Sequence, residues 1–182
     1  MPEERIGNWG KWGEDDEKGT LNYITPEVIK QAAGLVEKGK IYSLAIPLER
    51  EAPIWPARNK LFHVVMHNND PAPGGRGGAE DVLTMHSHGT THIDSLAHIW
   101  YDNQLYNGWP ISVVGNRGTE KNAIDNVKGL VSRGVLLDLP GLRGVDYLDA
   151  GYAITPEDIE DCLKWEGISI RSGDIVLVRT GW

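Results

Sequence analysis

Apolar runs of strand length punctuate this chain at 41–46, 61–66, 82–88, 134–139 and 175–178, and each reads as a β-strand. In the third, Val82-Leu83-Thr84-Met85-His86-Ser87-His88, apolar and polar positions alternate. That alternation would place Thr84, His86 and His88 on one face and Met85 and Ser87 on the other. Two stretches carry the helical period instead. Thr25-Pro26-Glu27 supplies an N-cap, a proline at the first position and an acid at the positive dipole end. Ile29, Ala32, Ala33 and Val36 form the apolar stripe behind it, and Gly39 fits just past the end. Ile154-Thr155-Pro156-Glu157-Asp158 repeats this grammar, followed by Ile159, Leu163 and Gly167. The first 25 residues are rich in Gly, Trp and acids without periodicity, and predict an irregular arm.

Between the second and third strand runs lies Asn68-Asn69-Asp70-Pro71-Ala72-Pro73-Gly74-Gly75-Arg76-Gly77-Gly78. It lacks the GK[ST] ending of a phosphate loop and the glycine spacing of a dinucleotide fingerprint, so it reads as a surface loop that could act as a lid. His63 and His67 flank it without a partner that the sequence names, and His63, alternating with apolar neighbours, has a structural reading. Strands interspersed with helices predict an α/β, or mixed α+β, fold, and 182 residues predict one domain spanning 1–182.

Charge and composition narrow the function classes. A net charge of −8 and a pI near 5.2 argue against nucleic acid or an anionic membrane as partner. The charged start Met1-Pro2-Glu3-Glu4-Arg5 shows no signal peptide and no apolar run has transmembrane length, which predicts a cytoplasmic protein. The single cysteine, Cys162, shares a helical face with Ile159 and Leu163 and reads as core. Seven tryptophans read mostly as core or interface anchors, with those flanking the histidine cluster as alternatives for a pocket wall.

The densest chemistry is His86-Ser-His88-Gly-Thr-Thr-His92-Ile-Asp94-Ser-Leu-Ala-His98, which holds four of the six histidines. Imidazole and carboxylate are natural ligands of a catalytic divalent metal. A strand, a turn at Gly89 and a helix start capped by Asp94 would bring His88, His92 and Asp94 to one point, with His98 one turn further on. Three protein ligands leave coordination positions open for water and substrate. His98 then suits a general acid/base, since histidine ordinarily titrates near neutrality, with a fourth-ligand role as its alternative. His86 reads as a supporting residue.

The run from His88 to His98 resembles the signature of the metal-dependent cyclase family, which includes bacterial kynurenine formamidases, isatin hydrolases and polyketide cyclase-like proteins. Trp12-Gly-Glu-Asp-Asp-Glu-Lys-Gly-Thr-Leu-Asn22, Tyr101-Asp102, Tyr106-Asn107-Gly108, Arg133–Asp138 and Ser172–Gly181 extend the similarity nearly end to end. The resemblance implies metal ligands at His88, His92 and Asp94 and a catalytic acid/base at His98. Trp55, in Trp55-Pro56, falls where many members carry an aromatic-proline pair at the substrate pocket. A swivelling β/β/α architecture, Zn²⁺ or Mn²⁺, and a homodimer or larger assembly are implied too. Leu96 stands where many members have proline. Members also take a further histidine and glutamate from downstream, whereas no histidine follows His98, so the sequence reads as truncated at its C-terminus.

The resulting expectation is a hydrolase of an amide C–N bond, with an aryl formamide of the N-formylkynurenine type as small-molecule substrate. Its alternatives are hydrolysis of a cyclic amide or lactone, or a metal-binding fragment without turnover. A non-haem iron oxygenase is a further rival, because His92-Ile93-Asp94 forms a His-x-carboxylate pair.

Overall fold

In a computed structural model of the chain, residues 7–67 and 73–182 are described. In chain order the regular elements are α1 (Pro26–Ala33), β1 (Phe62–His67), β2 (Ala79–Thr84), β3 (Val114–Gly115), β4 (Gly118–Thr119), β5 (Gly134–Asp138), α2 (Leu139–Arg143), α3 (Pro156–Glu166) and β6 (Ile175–Arg179). They form three two-stranded sheets, with β1–β2 and β3–β4 antiparallel and β5–β6 parallel. The fold is thus mixed α/β. Two compact units divide the chain: Met1–Gly39 with Ser95–Trp182, and Lys40–Asp94. Of the glycine-rich loop predicted at 68–78, residues 68–72 lie outside the described residues.

The larger unit has the core. Alternation along β5 turns Val135 and Leu137 inward, where they meet Leu139, Leu148 and Cys162, with Leu142, Ile159 and Leu163 packed against them. Burial of each large aliphatic chain contributes about 1.5–3 kcal/mol. Cys162 is fully buried, which pushes its thiol pKa up, so the predicted core role stands. At the start of the sheet Arg133 donates from Nε (3.0 Å) and Nη2 (2.5 Å) to Asp174, a planar two-point pair that joins β5 to the turn before β6. Gly173 has φ +89°, and a Cβ there would meet the Tyr23 carbonyl at 2.7 Å, so only glycine fits this close approach.

Both helix starts form as the sequence predicts. Thr25 Oγ1 accepts from Val28 N–H at 3.4 Å with Pro26 in the first position. At α3 the capping box is complete, with Thr155 and Asp158 each accepting from the other's backbone N–H, and Gly167 closes the helix in the left-handed region. The predicted reach of the first helix to Val36 is corrected. It ends at Ala33, and Leu35 and Val36 continue only as i→i−3 turns that leave both side chains exposed. Gly34 stands at the break, where helix propensity is about 1 kcal/mol poorer than for alanine.

Two strand expectations also change. The 41–46 segment is not in a strand, and Ile41, Tyr42 and Leu44 are strongly exposed. Its apolar pattern carries no information about a hydrogen-bonding partner, and β1 pairs with β2. The run predicted over 82–88 is a strand only to Thr84, which lies opposite Phe62, the first residue of β1. Beyond that pair the ladder ends, and 85–88 leave the sheet. α2 went unpredicted because Leu139-Pro140-Gly141 reads as a turn. Asp138 Oδ1 caps it by accepting from Gly141 N–H at 3.0 Å, and the same oxygen accepts from Arg179 Nη1 at 2.6 Å.

The N-terminal arm is irregular, as predicted, and is fixed by polar side chains. Asn107 Nδ2 donates to the carbonyls of Gly13 (2.9 Å), Glu14 (3.1 Å) and Asp16 (3.0 Å), while its Oδ1 accepts from Gly10 N–H at 2.7 Å. Asp16 accepts from Gly19 N–H, Asn22 and Tyr106, and burial helped by that carboxylate pushes the Tyr106 pKa up to about 12. Glu17 accepts from Asn122 N–H at 2.6 Å and Asn126 Nδ2 at 3.0 Å. The two sequence segments 12–22 and 101–108 therefore bond to one another. Asn107→Ala is expected to cost about 3 kcal/mol and lower Tm by about 10 °C in a thermal melt. Because Asn107 has φ +64°, Asn107→Gly separates backbone comfort from hydrogen bonding. It should lose nearly as much stability as the alanine variant.

Acid stability has an identifiable source. The Thr155 backbone N–H, the Tyr152 hydroxyl and the Arg143 guanidinium hold the Asp158 carboxyl down at about 2, against an ordinary 3.8. As pH falls below the ordinary value, the unfolded chain takes up this proton first, so the contribution present at neutral pH disappears between about 4 and 2. Asp158→Asn should lower Tm at pH 7 and narrow its deficit from wild type as pH drops through that window. A deficit independent of pH would exclude this carboxylate as the source.

Candidate metal centre

The smaller unit carries His86, His88, His92 and Asp94 of the cluster. Where β2 loses its ladder partner the backbone turns, and Gly89 permits the turn: a Cβ there would stand 3.1 Å from the His86 carbonyl. Side chains from earlier in the unit hold the turn. Thr91 Oγ1 accepts from Ile46 N–H at 2.9 Å, and Arg58 Nη1 donates to the His88 carbonyl at 2.6 Å.

Three ligand-type atoms converge there. His88 Nδ1 is 3.0 Å from His92 Nε2 and 3.0 Å from Asp94 Oδ1, and His92 Nε2 is 3.4 Å from the same carboxylate oxygen. The opposite ring nitrogen, His92 Nδ1, lies 2.6 Å from the Thr90 carbonyl, which can only accept, so it carries the proton. In the neutral imidazole Nε2 is then bare toward the cluster, the arrangement by which outer hydrogen bonds fix a metal-binding tautomer. First-row ions bind N and O at about 2.0–2.2 Å, which sets neighbouring ligands about 3.0–3.5 Å apart at octahedral or tetrahedral angles. The triangle fits that spacing, and His88, His92 and Asp94 could hold one metal ion. Side-chain exposures of 27%, 34% and 46% keep all three residues within reach of solvent.

The predicted N-cap role of Asp94 is corrected. Ser95 caps the following turn instead, its Oγ accepting from Ala97 N–H at 3.2 Å and its carbonyl from His98 N–H at 3.0 Å. Asp94 is thereby left to face the imidazoles. His98 belongs to the larger unit, four residues along the chain from Asp94. His86 stands outside the triangle and borders a small, open cleft lined by Leu48, Ala52, Ile54, Leu61 and Met85. Trp55 is 68% exposed, and its carbonyl accepts from Arg58 N–H at 2.9 Å. His63 Nε2 lies 3.2 Å from Asp81 Oδ1 across β1 and β2, a partner that sequence did not provide. Arg58 was missed too, because nothing in the spacing of 55–58 links it to a residue thirty positions on. Among the described residues no helix is long and apolar enough to cross a membrane.

No curated protein matches the chain. A crystal structure of "a novel cyclase" matches with TM-score 0.91 and 39% identity over 100% of this chain. The match covers 63% of that protein, so this chain spans less than two thirds of its length. The family model described as "Putative cyclase" matches residues 42–182, the segment that contains the whole cluster. The chain belongs to this cyclase family.

Proposed function

We propose that the protein is a metal-dependent hydrolase that cleaves an amide C–N bond, with an aryl formamide such as N-formylkynurenine as its substrate class. The convergence of His88 Nδ1, His92 Nε2 and Asp94 Oδ1 carries the reading. A divalent ion held there, Zn²⁺ or Mn²⁺, supplies Lewis-acid activation of the scissile carbonyl and of water. Asp94 brings the negative charge that favours a cation, and the Thr90 carbonyl keeps His92 in its binding tautomer. His98 is assigned the proton transfer: it takes a proton from the attacking water and returns it to the leaving amine nitrogen, giving formate and the free aryl amine. Trp55, on its exposed turn, is offered as an aromatic wall for the substrate ring. The same chemistry opens a cyclic amide or lactone, a second reading favoured by the family's description as cyclases. The swivelling β/β/α architecture and a homodimeric or larger assembly belong to this proposal.

Hydrolysis of N-formylkynurenine, followed with and without a chelator, tests the reading. Turnover that chelation abolishes and Zn²⁺ or Mn²⁺ restores supports it. Turnover of a lactone or cyclic amide alone would move the assignment to the second reading. Chelator-resistant turnover would contradict metal dependence.

A further inference from the structure

We infer that Arg58 is a positioning residue of the metal centre, setting through the His88 carbonyl how tightly the three ligands hold a divalent ion. The inference rests on the proposed reading that this triangle binds such an ion. His88 sits past the end of β2, so the sheet ladder no longer fixes its peptide plane. Arg58 Nη1 reaches that plane, donating to the carbonyl at 2.6 Å from a half-buried side chain. The donor is itself delivered from a fixed backbone, because Arg58 N–H closes the turn onto the Trp55 carbonyl at 2.9 Å. The direction in which the His88 imidazole leaves the chain follows from that peptide, and its Nδ1 makes both 3.0 Å edges of the triangle. The opposite flank of the turn is fixed at Thr91 by Ile46 N–H.

Charge and positioning make opposite predictions here, which makes the idea decidable. A guanidinium beside a cation site repels the ion, so through charge alone its removal would tighten metal binding. Acting through the His88 peptide, Arg58 strengthens binding. Lysine keeps the charge and loses the planar, multi-donor head.

The test uses Co²⁺ alone as probe, read by competition with a chromophoric chelator and by the visible absorption of the bound ion. Wild type, Arg58→Ala and Arg58→Lys are compared, with metal-free thermal unfolding as a check on folding and Arg58→Gln as replacement if the alanine variant fails that check. Removal of outer partners of metal ligands typically costs about 10–100-fold in affinity. Arg58→Ala is expected to weaken Co²⁺ binding by about that factor, with an altered absorption spectrum and an intermediate value for Arg58→Lys. Unchanged or tighter binding in Arg58→Ala, beside a wild type that binds Co²⁺, would overturn the role of Arg58 and leave the metal site standing. A wild type that binds no Co²⁺ would overturn the metal site itself, and this inference with it.

Discussion

Asp94→Asn is expected to strip the protein of its metal and its turnover together while leaving it folded. The substitution keeps the shape of the side chain and removes the only negative charge in a triangle whose other members are two imidazoles. Amide oxygen is a far weaker ligand than carboxylate for the ions this donor set favours. Affinity should fall by more than about 100-fold, beyond the range for loss of an outer partner. Asp94 is half-exposed and Ser95 performs the local capping, so stability should change by about 0.5 kcal/mol or less. Elemental analysis, a chelator-competition titration and a thermal melt on the same preparation read all three quantities. Retained metal with lost turnover would recast Asp94 as a base rather than a ligand.

His98→Ala should separate what Asp94→Asn loses together. If His98 carries the proton and His88, His92 and Asp94 carry the ion, the variant keeps its full metal content. Its turnover should drop by about 10²–10⁴-fold, the range of general acid–base catalysis. That loss should appear in kcat and in kcat/KM alike, because the proton moves in the transition state. An undiminished rate at full metal content would remove His98 from the mechanism. Loss of metal would make it a fourth ligand.

The convergence of His88, His92 and Asp94 was legible because the three lie within seven residues, where local chain geometry nearly suffices to bring them together. The helix starts at Thr25 and Thr155 were legible for the same reason: a cap, a proline and an acid act within one turn. What escaped prediction depends on partners distant in sequence. Whether 41–46 joins a sheet depends on a neighbouring strand, and alternation is silent about that. Where β2 stops is decided by the start of β1 at Phe62, which moved His86 and His88 off the strand and into the turn. Arg58 reaches His88 across thirty residues, and Asn107 holds the arm across more than ninety, with no pattern in the chain to announce either. The cap was placed one residue early, since Ser95 has equal capping chemistry and the Asp94 carboxylate faces the two imidazoles.

The central claim is that His88, His92 and Asp94 form one metal site, and metal content tests it most directly. The purified protein would be incubated with Zn²⁺ or Mn²⁺, desalted, and analysed by elemental mass spectrometry beside the His88→Ala/His92→Ala/Asp94→Asn variant. The account predicts about one ion per chain in the wild type and essentially none in the variant, as a single three-ligand centre requires. Equal metal in both proteins, or none in the wild type, would contradict it.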